Sequence, residues 1–328
     1  MGELPFALAP EAALGAWLRE AEREMEPHRT AGTYRGFDGT ELPWQALKAV
    51  RQAVHADRPR AHVVLLHGFT EFPEKYRELC RYLRQAGCTV WLPVLRGHGQ
   101  GGIVHVDRFE DYVRDIACFL RDIVPERPLL SGHSMGGGVA ARLLQELPDC
   151  AARAVLCSPM LCPQTGRAPH WLALGCARAL LRRGEREKSP LFSGAYDPNA
   201  EFSCSGCTSR ARFRAAMDCR AECPAYQTMG ASNRWVYESL ALRSRVLSPR
   251  ACRRVQVPVL VCSAGRDTQV SLREQRLLAA RLPQGRLLEF PEEKHELYNA
   301  GNAGLAAFLC AVLEFFGLTA GYGKEETK

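Results

Sequence analysis

The chain has 328 residues, of which 46% are hydrophobic and 24% charged, so it can bury a large core as one domain or two. No apolar stretch reaches the roughly 20 residues that a membrane-spanning helix needs. The first 28 residues carry acids where a secretory signal would carry basic residues, so we expect a cytoplasmic protein.

Taken in chain order, the first half alternates apolar strands with amphipathic helices. Residues 11–27 show the apolar spacing of a helix, and Asp38-Gly39 marks a hairpin turn. Continuous apolar runs follow, typical of central strands covered on both faces: HVVLLH, CTVWLPVL, RPLLSGH and AARAVLCSP. Helical segments lie between these runs, so the pattern predicts an α/β fold with a mostly parallel sheet and helices on both faces.

The alternation stops at about residue 161 and resumes at about residue 250. Residues 161–249 read as helical segments separated by turns, with no buried strand. We therefore expect one α/β core, formed by 1–160 with its N-terminal helix and by 250–318, and a helical cap insertion at 161–249. The last residues, 319–328, are expected to form a flexible tail.

The formal net charge of +7 is concentrated in the insertion, since residues 161–254 hold 16 Arg and Lys against 7 Asp and Glu. No helix-turn-helix, zinc-finger or RNA-binding signature accompanies these charges, so we expect no nucleic-acid partner. A basic surface of this kind suits an anionic membrane surface or a phosphate-bearing substrate. A solvated, arginine-rich helical face is the alternative. Nothing in the sequence indicates an oligomeric state.

Fourteen cysteines in a chain without an export signal argue against a disulfide framework. Several lie in apolar strand-like runs, where a thiol packs as a small hydrophobic group. One cluster, Cys204, Cys207, Cys219 and Cys223, has a C-x2-C and C-x3-C spacing that approaches a zinc site. The segment between these pairs reads as an arginine-rich helix, so we expect no metal and keep the zinc site as a minor alternative.

Ser134 lies in the sequence SGHSMGGG, between an apolar strand and a helix. A G-x-S-x-G pattern in that context is typical of a nucleophile elbow, a strained turn that needs tiny residues two positions before and after the serine. Gly132 and Gly136 meet this requirement. The pattern therefore predicts an exposed, nucleophilic hydroxyl at Ser134.

A serine needs a base, and the base needs an orienting acid. Asp267 closes the strand-like run PVLVCSAGRD, and His295 follows the strand-like run RLLEF, so both stand where a strand ends. In an α/β fold with a nucleophile elbow, the acid follows a later strand and the histidine follows the acid, so the chain order serine, aspartate, histidine fits this fold class. We expect the backbone N–H groups of Met135 and Phe69 to form the oxyanion hole. No cofactor is predicted, because the glycines match neither a dinucleotide nor a phosphate-loop fingerprint.

The motifs LLHGFTE, RGHG, GHSMGG, PVLVCSAGRD and KHEL together resemble the α/β-hydrolase superfamily, over about residues 30–318. Within it, the chain is most similar to bacterial lysophospholipases and monoacylglycerol lipases. The resemblance implies an eight-stranded, mainly parallel sheet with the insertion as a cap over the active site. It also implies Ser134 as nucleophile, Asp267 as orienting acid and His295 as base, with Phe69 and Met135 as oxyanion donors.

These features favour a serine hydrolase that cleaves carboxylic esters of monoacyl lipids through an acyl-enzyme. A small-ester carboxylesterase, or an amidase or peptidase of the same fold, is the alternative. A catalytically silent binding protein is a third interpretation, disfavoured by the complete set of acid, base and nucleophile. A dehalogenase is disfavoured, because its nucleophile would be an aspartate at the position of Ser134.

Overall fold

The computed structural model describes residues 4–50, 61–125, 127–189 and 195–319. The strands of this part of the chain are β1 (Arg29–Arg35), β2 (Glu41–Leu47), β3 (Ala61–Leu66), β4 (Cys88–Pro93), β5 (Gly102–Val104), β6 (Leu129–His133), β7 (Arg153–Cys157), β8 (Thr228–Ala231), β9 (Val259–Ala264) and β10 (Gly285–Phe290). Its α-helices are α1 (Leu14–Met25), α2 (Arg77–Gln85), α3 (Phe109–Asp122), α4 (Met135–Glu146), α5 (His170–Arg182), α6 (Arg210–Ala221), α7 (Asn233–Val246), α8 (Pro249–Cys252), α9 (Leu272–Arg281) and α10 (Asn302–Phe315).

Eight strands form one sheet in the order β1-β2-β4-β3-β6-β7-β9-β10. The first two pairings, β1 with β2 and β2 with β4, are antiparallel, and the other five are parallel. The turn between β1 and β2 contains Gly39 at a φ of 86°, as the hairpin motif predicts. The expected α/β fold with a mainly parallel eight-stranded sheet is confirmed.

The two faces of the sheet pack against different helices. Along β3, Val64 and Leu66 face one apolar core with side chains of α3, α4 and α7, while Val63 and Leu65 face a second core with α1, α2 and α10. Successive residues of a strand point to opposite faces, so a strand covered on both sides has to be apolar throughout. This arrangement explains the continuous apolar runs in the sequence.

The insertion differs from the sequence expectation in one respect. We expected no strand between 161 and 249, but the short strand β8 lies there and pairs in parallel with β5 of the core. Four residues are too few to give an alternating pattern that the sequence could reveal. The pairing ties the insertion to the loop that precedes α3.

Helix α7 is also part of the core, since Leu242 is fully buried against the α3 and α4 layer. The boundaries of the cap at 161 and 249 remain a prediction. Of the expected tail, residues 320–328 lie outside the described part of the chain. Within the described residues, no helix is long and apolar enough to cross a membrane.

Candidate active site

Ser134 occupies the sharp turn between β6 and α4. Its φ of 50° and ψ of −116° lie in a region that a residue with a side chain rarely adopts. The turn is fixed by the neighbouring strand, because Ser134 N–H donates to Cys157 O at 3.0 Å, while Met160 N–H donates to Ser134 O at 2.8 Å. Backbone strain held by surrounding hydrogen bonds is typical of a functional position.

The glycines on either side of Ser134 have no room for a side chain. A Cβ on Gly132 would lie 2.5 Å from Gly136 O, and a Cβ on Gly136 would lie 2.2 Å from Leu66 O. The beginning of α4 therefore packs directly against the end of β3. This contact brings the serine turn next to the loop that follows β3.

Asp267 and His295 meet at the carboxyl ends of β9 and β10. His295 Nδ1 lies 2.6 Å from Asp267 Oδ2, and both residues are buried. The other oxygen of Asp267 accepts the N–H groups of Gln269 and Val270 at 2.8 and 3.1 Å, which fixes the carboxylate. A carboxylate on Nδ1 directs the Nε2 lone pair of the histidine outward, as a general base requires.

Ser134 lies beside this pair, because the ring of its neighbour His133 packs on the ring of His295 with centroids 4.8 Å apart. Within the described chain, Ser134 Oγ makes no hydrogen bond to His295. Nucleophile–base hydrogen bonds are often long without substrate and form in the reacting complex. The structure thus joins the predicted acid and base directly, and it brings the residue before the predicted nucleophile into contact with the base.

Phe69 follows β3, and Met135 begins α4, so both predicted oxyanion donors lie where these two segments touch. Neither N–H donates to another described residue, whereas the adjacent N–H groups of Gly68 and Thr70 are both bonded. An unpaired N–H at the start of a helix is suited to developing negative charge. The two N–H groups are therefore free to donate hydrogen bonds to an oxyanion.

Two buried histidines hold the loop that carries Phe69. His67 Nε2 accepts the N–H of Leu95 at 2.9 Å, and His98 Nε2 accepts the N–H of Thr70 at 3.2 Å. Burial lowers the pKa of both, that of His98 to about 3, so both rings are neutral and can accept. The role of both rings is therefore structural.

A buried polar network under the site was missed by sequence reasoning. Glu71 accepts from Gly68 N–H at 2.7 Å, from Lys75 Nζ at 2.6 Å and from Tyr298 Oη at 2.6 Å. Lys75 also lies 2.9 Å from the carboxylate of Glu296, the residue that follows His295. The network therefore connects the loop of Phe69 to the loop of His295.

The charges of this network stabilise one another. Burial alone would raise the pKa of Glu71, but Lys75 and the hydrogen-bond donors hold it well below the usual value. Burial would lower the pKa of Lys75, but Glu296 and Glu71 hold it above its usual value. Burial lowers the pKa of His133 to about 4, so its ring is neutral beside His295. The signal available in the sequence was a Glu and a Lys four residues apart, directly after the HGFT motif.

The four cysteines considered as a zinc site do not assemble. Cys207 is buried and its Sγ donates to Glu296 Oε2 at 3.2 Å, whereas Cys204 is exposed and Cys219 and Cys223 are half-buried. Among the described residues, no three His, Cys, Asp or Glu side chains are grouped so that they could hold a metal ion. The minor zinc alternative has no support in this part of the chain, because C-x2-C spacing alone does not bring distant thiols together.

The strand order and the strained serine turn define an α/β-hydrolase. A sequence model of the family described as "Hydrolase_4: Serine aminopeptidase, S33" matches residues 57–301, and the chain belongs to this family. The resemblance to the lysophospholipase and monoacylglycerol lipase branch is confirmed, and the protein is a carboxylic ester hydrolase.

Similar proteins include lysophospholipase L2 of Escherichia coli strain K12, which is 29% identical over 93% of both chains. Human monoglyceride lipase is 34% identical over 31% of this chain and 36% of its own length. Among solved structures, the monoacylglycerol lipase of Paleococcus ferrophilus has a TM-score of 0.66 and 22% identity, covering 85% of this chain and all of the other. At that identity, the structural match supports the fold.

Proposed function

We propose that the protein hydrolyses carboxylic esters of monoacyl lipids, lysophospholipids or monoacylglycerols, with Ser134, His295 and Asp267 as a catalytic triad. The observation that carries the proposal is the strained turn of Ser134 beside the hydrogen-bonded pair of His295 and Asp267. A serine hydroxyl, a base with a directed lone pair and a fixed carboxylate are the three parts that acyl transfer needs. Ser134 is only 8% exposed, so it lies deeper than the exposed hydroxyl that the sequence predicted.

In the first half of the reaction, His295 Nε2 takes the proton of Ser134 as Oγ attacks the ester carbonyl. The carbonyl oxygen becomes an oxyanion, which accepts the N–H groups of Phe69 and Met135. The intermediate collapses to an acyl-serine, and the alcohol leaves with the proton that His295 returns. Asp267 stays ionised and holds the imidazolium in place.

In the second half, water replaces the alcohol. His295 takes a proton from the water, which attacks the acyl carbonyl, and the fatty acid leaves as Ser134 recovers its proton. Each step uses the same base and the same oxyanion donors. The complete cycle consumes one water and one ester and needs no other reactant.

The monoacyl lipid substrate is supported by the relatives, which are a lysophospholipase and monoglyceride lipases. The family description also contains a serine aminopeptidase, so an amidase or peptidase is the second candidate. One substrate panel separates the two: lysophosphatidylcholine, lysophosphatidylglycerol, monooleoylglycerol, p-nitrophenyl butyrate and an amino-acid p-nitroanilide. We expect the monoacyl lipids to have the highest kcat/KM, and a preference for the anilide or the short ester would contradict the substrate proposal.

The decisive test of the chemistry is labelling of the purified protein by a fluorophosphonate probe. The native chain should be labelled, and Ser134→Ala should lose both the label and at least ~10³-fold in kcat, in line with the cost of losing a nucleophile. A native chain that neither labels nor hydrolyses any ester would support the silent binding interpretation.

We also propose that the insertion contacts an anionic membrane surface through helix α5. Only Ala177 of this helix is buried, and Trp171 and Leu172 are exposed by 72% and 42%. Arg178 and Arg182 are exposed on the same helix. Exposed aromatic and apolar side chains with arginines suit the boundary between lipid headgroups and acyl chains.

Vesicle sedimentation tests this contact with the double variant Trp171→Ser/Leu172→Ser. The matched control is Leu287→Ser/Leu288→Ser on edge strand β10, whose side chains are exposed by 39% and 37%. We expect the native protein and the control to bind vesicles rich in phosphatidylglycerol. The α5 variant should bind at least ~10-fold more weakly, because it loses two exposed apolar side chains that would be buried in the lipid. Equal binding of all three proteins would contradict the proposal.

A further inference from the structure

We propose that residues 203–209 of the insertion, here named the clasp, position His295 for proton transfer. The proposal rests on the proposed function, in which His295 is the base. The clasp carries no part of the predicted triad. It contacts the residues on both sides of His295 in the chain and also the loop of the predicted acid.

On one side of His295, the clasp holds Lys294. The ammonium group of Lys294 donates to Ser203 O at 3.2 Å and to Ser205 O at 3.1 Å. It also lies 5.6 Å from the centre of the Phe202 ring. A lysine that bonds two carbonyls of one segment fixes its own backbone relative to that segment.

On the other side of His295, the clasp holds Glu296. The backbone N–H of Glu296 donates to Gly206 O at 2.8 Å, and the buried Cys207 Sγ donates to Glu296 Oε2 at 3.2 Å. Thr208 adds a third tie, because its Oγ1 donates to Glu293 and accepts Gly301 N–H at 3.1 Å. The histidine loop is thus bonded to the clasp before and after the catalytic position.

Gly206 lies where the loops of the acid and the base meet. A Cβ on this residue would be 3.2 Å from His295 Cβ and 2.8 Å from Gln269 Nε2. Gln269 is one of the two residues whose N–H fixes the carboxylate of Asp267. The clasp therefore touches the backbone supports of both partners in the Asp267–His295 hydrogen bond.

It follows that displacing the clasp displaces the base. The imidazole of His295 is held to Asp267 by one hydrogen bond, and its loop is held to the clasp by at least three. A shift of about 1 Å in a catalytic group can cost ~10²-fold in rate. The clasp thus links the position of the insertion to proton transfer.

The test breaks the ties on either side of His295 separately. Lys294→Met removes the two hydrogen bonds to the clasp carbonyls, and Cys207→Ala removes the thiol donor to Glu296. Lys294→Arg and Cys207→Ser are the conservative partners, since each keeps a donor. The exposed Lys48→Met is the matched control.

We expect kcat for p-nitrophenyl esters to fall about tenfold in Lys294→Met and in Cys207→Ala, with KM and the unfolding midpoint unchanged. The conservative variants and Lys48→Met should stay within about threefold of the native kcat. The fold-decrease in kcat should be the same for acetate, butyrate and octanoate esters, because the clasp acts on the base and leaves acyl recognition unchanged. Fluorophosphonate labelling of Ser134 should be slower in Lys294→Met and in Cys207→Ala than in the conservative variants and in Lys48→Met.

Native kcat in both folded variants would overturn the proposal, and so would a loss confined to long acyl chains. If Lys294→Met unfolds, the Cys207→Ala and Cys207→Ser pair decides alone. Failure of the proposed function gives a different result, because the native protein would then neither hydrolyse esters nor react with the probe.

Discussion

The substitution Glu71→Gln tests whether the buried network under the candidate site holds the oxyanion loop. Glu71 accepts four donors: the N–H of Gly68, the hydroxyls of Tyr76 and Tyr298, and the ammonium of Lys75. A glutamine is nearly the same size, but its single carbonyl oxygen serves about half of these donors. The substitution therefore changes charge and hydrogen bonding with little change in volume.

Removing one partner of a buried ion pair costs about 3–5 kcal/mol. In the variant, the ammonium group of Lys75 still lies 2.9 Å from the carboxylate of Glu296, so its positive charge remains paired. We therefore take the lower end, a loss of about 3 kcal/mol in the free energy of unfolding at pH 7. The N–H of Gly68, next to Phe69, loses its charged acceptor. We therefore also expect kcat to fall by ~10-fold or more, a decrease no larger than that caused by losing one oxyanion donor.

The loss should depend on pH in a defined direction. The folded-state pKa of Glu71 is well below its ordinary value of 4.5, so the unfolded chain binds more protons at acid pH. The contribution of Glu71 is complete above about pH 4.5 and is lost as the pH falls through the folded-state pKa. The difference between native protein and Glu71→Gln should be full at pH 7 and smaller at pH 3.5.

Urea unfolding at the two pH values measures both effects. The matched control is Glu289→Gln, which removes a surface ion pair with Arg276 and should leave the unfolding midpoint almost unchanged. If Glu71→Gln loses less than about 1 kcal/mol at pH 7, or loses the same amount at both pH values, the reasoning from buried charge is refuted.

Asp267→Asn should fold normally and lower kcat by about 10⁴, because an amide presents a donor to His295 Nδ1 and favours the wrong tautomer; activity within tenfold of native would contradict the triad. Gly136→Ala should fail to give soluble protein, since its Cβ would lie 2.2 Å from a carbonyl oxygen of β3, while the exposed Gly15→Ala on α1 should express as the native chain does. Arg212→Met should lower the free energy of unfolding by about 3 kcal/mol in urea, because it leaves the carboxylate of Glu78, 2.7 Å from the guanidinium, without its buried cation. A loss below about 1 kcal/mol would show that the pair contributes little to holding α6 on the core.

The sequence by itself indicated the succession of strands and helices along the chain and the three residues of the proposed triad. The apolar runs had to be central strands, because only strands covered on both faces avoid polar residues for that length. Ser134 was recognisable from the glycines on either side of it. The structure explains why these positions are glycine, because a Cβ there would lie less than 3 Å from backbone atoms. Asp267 and His295 were recognisable because parallel strands bring their carboxyl ends to one edge.

Only the tertiary structure revealed what supports that site. Glu71 and Lys75 lie four residues apart after β3, but they meet Glu296 from a distant part of the chain, and no local pattern records that contact. The same holds for Cys207, whose spacing suggested zinc and whose thiol instead donates to a carboxylate. Local periodicity and turn chemistry act over a few residues, so they fix strands, helices and the serine turn, whereas contacts between distant loops depend on how the chain packs.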